Sequence, residues 1–254
     1  MSLSEPNFTN SLQKRLKTFL APGLAFLTFL SIVLGVIFYF WRQGQAQRST
    51  RLMTWIRKPE EHQHWKREAL STCPGAPFTF PTEGYIGYLW GDSFRPGHIH
   101  QGVDIFSGQQ PGKTPVYAAY PGYLTRLPDW KSSLIVRIPQ DPLHPERQIW
   151  TYYTHLAGPE GSSYISDQFP PGIREVFVEQ GTLLGYQGNF SGTPGKPAGV
   201  HLHFSIVRDD GQGHFQNELE IANTLDPSPY FRLPLNKKLD PQFPITSCPE
   251  EGWH

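Results

Sequence analysis

The sequence predicts a mainly β, antiparallel domain that forms a groove, preceded by an N-terminal transmembrane helix. Three observations carry this. The 254 residues include 25 prolines and 24 glycines, and these separate short apolar runs rather than long helical periods. A long uncharged apolar stretch lies near the N-terminus. Four histidines and one aspartate stand in glycine-punctuated, β-branched and aromatic surroundings.

Taken in order, residues 1–17 form a short tail carrying Lys14, Arg15 and Lys17, expected on the cytoplasmic side. Thr18–Trp41 carry no charge and are dominated by Phe, Leu, Ile, Val, Ala and Gly. As a helix this stretch reaches roughly 36 Å, enough to cross a hydrocarbon core of about 30 Å with some tilt. Pro22 sits near its start, where it is best tolerated, and Phe38-Tyr39-Phe40-Trp41 resembles an interfacial aromatic belt. The run is longer than a signal-peptide core and no convincing small-x-small site follows, so it reads as an uncleaved signal anchor. Residues 42–72 read as a polar stalk. Its Arg42, Arg48, Arg51, Arg57 and Lys58 run against the positive-inside rule for an exported domain. His62 and His64 in this stalk lack a strand context and read as solvated. Residues 73–235 form the domain, with strands expected near 115–126, 133–139, 148–154, 182–187 and 201–207. Residues 156–174 form a long loop after His155, read equally as a groove wall and as a tolerated surface insertion. Residues 236–254 are a C-terminal tail.

Lys plus Arg equals Asp plus Glu at 22 each, which leaves no charge excess for nucleic acid. The two cysteines, Cys73 and Cys248, bracket the domain. There is no Cys-x-x-Cys spacing, so a thiolate zinc site is disfavoured. A disulfide clasping the domain ends and a pair of free thiols are the two readings.

The chemistry-bearing segments are His100-Gln101-Gly102-Val103-Asp104, Tyr153-Thr154-His155-Leu156 and His201-Leu202-His203-Phe204. Imidazole and carboxylate are zinc ligands, and a catalytic zinc takes three of them with a fourth position open for water. Five candidates therefore make one metal site and two spare imidazoles, the inventory of a zinc hydrolase. In a strand, His201 and His203 project from one face while Leu202 and Phe204 pack behind. His100 and Asp104 are roughly 13 Å apart in a straight strand, so Gly102 and Pro96-Gly97 predict a bend that folds them together. Tyr153 is a candidate phenolic donor, although packing is its more ordinary role.

These three segments resemble the motifs of the lysostaphin/LytM-type zinc endopeptidases, which cut the peptide part of peptidoglycan. Further similarity lies in Thr114–Ala119 with Pro121-Gly122, Glu179–Gly185, Gly188–Gly192, and Asp226-Pro227 with Tyr230-Phe231. The match spans about residues 84–232. Val200 stands where the family usually has proline, and Ser205 where it usually has an acid. The resemblance implies a lysostaphin-like (duplicated hybrid motif) β domain, one zinc ion held by His100, Asp104 and His203, and His155 and His201 as the unligated catalytic pair. It implies hydrolysis of peptidoglycan peptides by a zinc-activated water, and therefore an anchored domain on the extracytoplasmic side of the cytoplasmic membrane. The competing reading is a non-catalytic or self-inhibited wall-binding regulator of the same fold. The intact five-residue set favours the enzyme.

Overall fold

A computed structural model of the chain describes residues 26–39, 49–93 and 97–249. It divides into two compact units, Met1–Thr50 and Arg51–His254. In the first unit, residues 26–39 form a helix with nearly all its side chains exposed. Among the described residues, no helix is long and apolar enough to cross a membrane. The rest of the expected span, residues 18–25 and 40–41, lies outside the described residues, as does the tail 1–17.

The second unit is built around an eight-stranded antiparallel sheet. Its strands are β1 (Tyr85–Ile86), β2 (Val103–Phe106), β4 (Gly122–Thr125), β5 (Leu134–Ile138), β6 (Ile149–Thr154), β7 (Val176–Val178), β9 (His201–Arg208) and β10 (Thr224–Leu225). They run in the order β1-β2-β9-β6-β5-β4-β7, with β10 also paired to β9. β3 (Pro115–Tyr117) and β8 (Leu183–Tyr186) make a separate two-stranded sheet.

The strand expected over 115–126 is thus two strands in two sheets. Register shifts between Val116 and Tyr117, and Ala118 still pairs toward the chain before β8, its amide donating to the Thr182 carbonyl and its carbonyl accepting from Gly181. Pro121 offers no amide, so the chain turns there and starts afresh at Gly122. The other four expected strands appear as β5, β6, β8 and β9.

β9 carries the argument of the fold. Leu202, Phe204 and Ile206 alternate onto one face and join the main core with Val103, Ile105, Leu134, Val136 and Tyr153. Burying each such side chain stabilises by about 1.5–3 kcal/mol. The opposite face carries His201, His203 and Ser205, all buried. Farther along that face, Val207 packs with Ile135, Trp150 and Tyr152 in a second cluster.

The segments expected to be stalk and tail contribute to packing. Residues 51–57 are helical, and Leu52 and Trp55 are buried with Tyr85 and Phe106. The Trp55 indole donates to the Phe106 carbonyl at 2.9 Å. A 3-10 segment, Pro59–Trp65, follows, in which His62 stacks on Trp65 at 4.0 Å. At the other end, Ile245 joins the main core and Cys248 is disulfide-bonded to Cys73. Arg67 braces this clasp, donating to the Thr246 carbonyl and to Sγ of both cysteines.

Candidate metal centre

β2 and β9 pair so that Asp104 lies directly opposite His203 and Phe106 opposite His201. On the other side of β9, Thr154 of β6 is opposite His203. Asp104 and His203 therefore project from the same face of neighbouring strands. His100 reaches them from the chain before β2, where the segment bends as the spacing predicts. Its backbone is held by His100 N–H to Asp92 O and Gly91 N–H to His100 O. Gly102 is required at the bend: a Cβ there would lie 2.1 Å from the Phe204 carbonyl oxygen and 3.0 Å from His203 Nε2.

The three side chains converge. His100 Nε2 is 3.1 Å from Asp104 Oδ1 and 3.0 Å from His203 Nδ1, and His203 Nδ1 is 2.9 Å from Asp104 Oδ1. All three ligand atoms lie within 4.8 Å of one another and all three residues are buried. Ligand bonds of about 2.0–2.1 Å to a tetrahedral ion would space neighbouring donors by roughly 3.3 Å. The observed cluster matches this after opening by a few tenths of an ångström. His100 Nδ1 sits 2.9 Å from the Leu89 carbonyl, which places its proton there and leaves Nε2 as a lone-pair donor. One cation at the centre satisfies all three donors at once. Burial works to raise the Asp104 pKa, but the charges and hydrogen bonds of the surrounding histidines hold it well below the usual carboxylate range. The carboxylate is thus ionised and ready to ligate.

His201 and His155 lie beside this cluster. Their rings are 4.3 Å apart between centroids, and His201 Nε2 is 3.8 Å from Asp104 Oδ1. Phe106 stacks on His201 at 4.8 Å and fixes its plane. His201 Nδ1 approaches the Gly199 carbonyl, and His155 Nδ1 the Phe190 carbonyl, each at 2.6 Å. Both Nδ1 atoms therefore carry the proton, and both Nε2 atoms keep a lone pair. Burial pushes the His201 imidazole down to about 3, helped by the charge of His155, and burial likewise lowers His155. His155 has φ of +70°, a left-handed conformation that costs a non-glycine residue about 1–3 kcal/mol. It turns the chain at the end of β6 and brings the imidazole beside His201.

All five histidine and aspartate positions singled out from sequence line one groove of about 630 Å³. Tyr153 does not. It is fully buried on the core face, where its oxygen accepts from the Ala119 amide at 2.9 Å. Residues 156–174 do not line the groove either. Leu156, Ile165 and Phe169 anchor that loop in the core, and Arg126 donates to Phe169 O and Ser163 Oγ. Sequence reasoning missed the groove walls. Leu52, Met53 and Ile56 form one, and Glu218 and Leu219 stand in another. The apolar i, i+1, i+4 spacing of the first trio was a weak helical signal, and an isolated glutamate in a polar loop gave none.

The sequence matches no family model and no curated relative. Solved structures do resemble it. One is the catalytic domain of the antimicrobial peptidase lysostaphin from Staphylococcus simulans, at 20% identity over 57% of this chain and 90% of that one, TM-score 0.38. A second is a putative glycyl-glycine endopeptidase lytM from Ruminococcus gnavus, at 23% identity over 61% and 59% of the two chains, TM-score 0.40. A third is a zinc containing peptidase from Vibrio cholerae, at 18% identity over 61% and 36%, TM-score 0.32. The chain spans less than two thirds of the length of the second and third of these structures.

Proposed function

We propose that this chain is a membrane-anchored zinc metalloendopeptidase that hydrolyses peptide bonds of bacterial peptidoglycan. One observation carries the reading: the ligand atoms of His100, Asp104 and His203 lie within 4.8 Å of one another, with two further imidazoles beside them in the same groove. Two imidazoles and a carboxylate, with a fourth position open, are the donor set of a catalytic zinc. Zinc held there supplies Lewis acidity toward water and toward a scissile carbonyl.

The chain's own groups do the rest. His155 and His201 keep Nε2 unprotonated because Nδ1–H is committed to a backbone carbonyl. One of them takes a proton from water at Nε2. It then delivers that proton to the leaving amine, while the other neutral imidazole orients the water or the peptide through its Nε2 lone pair. Ser191, Gly192, Ala198 and Gly199 leave one flank of the groove without bulky side chains, which suits an extended peptide of small residues. Cell-wall peptides as substrate, an N-terminal span over Thr18–Trp41 and an extracytoplasmic catalytic domain follow from the resemblance of the motif segments and from the uncharged run.

The test combines metal analysis with digestion of purified wall sacculi by the full chain. Asp104→Ala is expected to lose zinc and activity together. His201→Ala should retain zinc and lose activity by about 10²–10⁴-fold. Equal zinc loss in both variants would refute the division of roles, and zinc-loaded parent protein that releases no wall peptide would leave a binding regulator instead.

A further inference from the structure

Among the described residues, the groove lining holds one acidic side chain that the proposed chemistry does not use. Glu218 lies in the chain between β9 and β10 and lines the same groove as His100, Ser133 and Tyr152. It is half-buried. The surrounding loop is tied down at several points. Gln101, next to His100, donates to the Leu219 carbonyl at 2.6 Å. Leu219 N–H donates to Asn217 Oδ1, and Asn223 Nδ2 donates to the Asn217 carbonyl at 3.0 Å. Glu218 is therefore presented from a fixed loop rather than left to wave in solvent.

Its neighbours in sequence spend their charge locally. Asp209 accepts from Gln148 and Trp150, Asp210 from His214, and Glu220 from Asn217 and Asn223. Among the described residues, Glu218 has no hydrogen bond and no ion pair, and the groove lining holds no lysine or arginine. It is also outside the group of ligand atoms that converge on the metal centre. An unpaired carboxylate in a partly desolvated groove is an anchor for a cationic group of a ligand.

We infer that Glu218 is a substrate-recognition residue that receives a primary ammonium group of the bound peptide, either a free α-amino terminus or the side chain of a diamino residue. The inference rests on the peptide-hydrolase reading for the class of its ligand. It deepens that reading by giving the groove a charge preference: an ammonium-bearing segment against Glu218, with the reacting carbonyl at the histidine cluster. Neutral, capped peptides of the same length lack this contact.

Binding without turnover tests it. Zinc-loaded His201→Ala protein is titrated calorimetrically with three probes: a glycine hexapeptide with a free amino terminus, the same peptide N-acetylated, and the acetylated peptide with one lysine in the chain. The same series is repeated with Glu218→Gln and with Glu218→Asp added. The Gln variant should bind an ammonium-bearing probe about tenfold more weakly and the capped probe within about twofold of its parent. The Asp variant, which keeps the charge, should recover part of the difference. Sensitivity confined to the free terminus or to the lysine probe assigns the source of the ammonium. Equal weakening of all three probes, no change in any, or no preference of the parent for ammonium-bearing probes overturns the inference. The sacculus assay judges the hydrolase reading separately. Peptides bound in the expected pattern but never cleaved would leave Glu218 its role and remove the hydrolase. Cleavage without the pattern would do the reverse.

Discussion

Gly102→Ala isolates the relation between backbone packing and the metal centre, because it adds one methyl group and touches no ligand. The new Cβ would sit 2.1 Å from the Phe204 carbonyl oxygen, 2.9 Å from the carbonyl carbon and 3.0 Å from His203 Nε2. Both close atoms belong to backbone of the central strand, so no rotamer relieves the contact. Reaching an ordinary separation of about 3.2–3.4 Å requires β2 and β9 to part by roughly 1 Å. Asp104 and His203 face each other across that pair, only 2.9 Å apart at their ligand atoms. A metal site tolerates about 0.2 Å in its bond lengths, so a shift of this size breaks the ligand geometry. Overpacking alone should cost about 1–3 kcal/mol, or a few degrees to about 10 °C of melting temperature for a domain of this size. Zinc affinity, measured by competition with a chromophoric chelator, should fall by more than tenfold. Gly211→Ala is the control: its φ of +83° makes alanine strained, but nothing lies within 4 Å of the added atom. It should lower stability by about 1 kcal/mol and leave zinc affinity unchanged. A Gly102→Ala protein that binds zinc as tightly as its parent would refute the claim that this approach sets the site.

Further outcomes follow from the geometry and the proposed topology. Burial disfavours the imidazolium forms of His155 and His201, so both are neutral at pH 7, and the acid limb of kcat/KM should fall below pH 6.5, with zinc content checked at each pH; a limb at or above 6.5 contradicts the burial argument. The contribution of neutral, buried His201 to folding stability is complete above pH 6.5 and is lost as pH falls from there toward about 3. Cys73 and Cys248 close a sequence separation of 175 residues, for which the chain-entropy model gives about 5 kcal/mol. Replacing both by serine should then lower the melting temperature by roughly 10–20 °C. Alkylation of both thiols in the mature protein, together with a domain protected from protease in wall-stripped cells, would place the catalytic unit in the cytoplasm and refute the proposed topology.

The parts of the site legible in sequence were those in which one residue type at one spacing had a single structural use. His201 and His203 share a face because strand side chains alternate, and the apolar Leu202 and Phe204 between them announce the strand. The bend at Gly102 was legible because His100 and Asp104 cannot meet along a straight strand. What failed was context that only the pairing partner supplies. Residues 115–126 carry enough apolar character for one strand, yet β3 finds its partner in β8 and β4 in β5 and β7. Strands of two or three residues such as β1, β7 and β10 have no periodicity to read at all, and exist because a neighbour offers a ladder edge.

The boundary of the second unit shows the same principle from the other side. Residues 51–65 are rich in Arg, Lys, Glu and His, which reads as solvated linker. Their few apolar positions decide the matter. Trp55 is fully buried, stacks with Tyr85 at 5.8 Å, and spends its indole N–H on the carbonyl of Phe106. Phe106 in turn stacks on His201. The segment thus reaches the imidazole pair through one hydrogen bond to the Phe106 backbone and one ring stack of Phe106 on His201, while Met53 and Ile56 of the same turns stand in the groove wall. A polar average over the segment hides this, because Leu52 and Trp55, one helical turn apart, are buried in the domain while Met53, Ile56 and the charges stay exposed. The groove on the His201 side is therefore shaped by the stretch of chain that enters the domain, and a truncation placed at residue 73 from the sequence reading would remove a wall of the site along with the stalk.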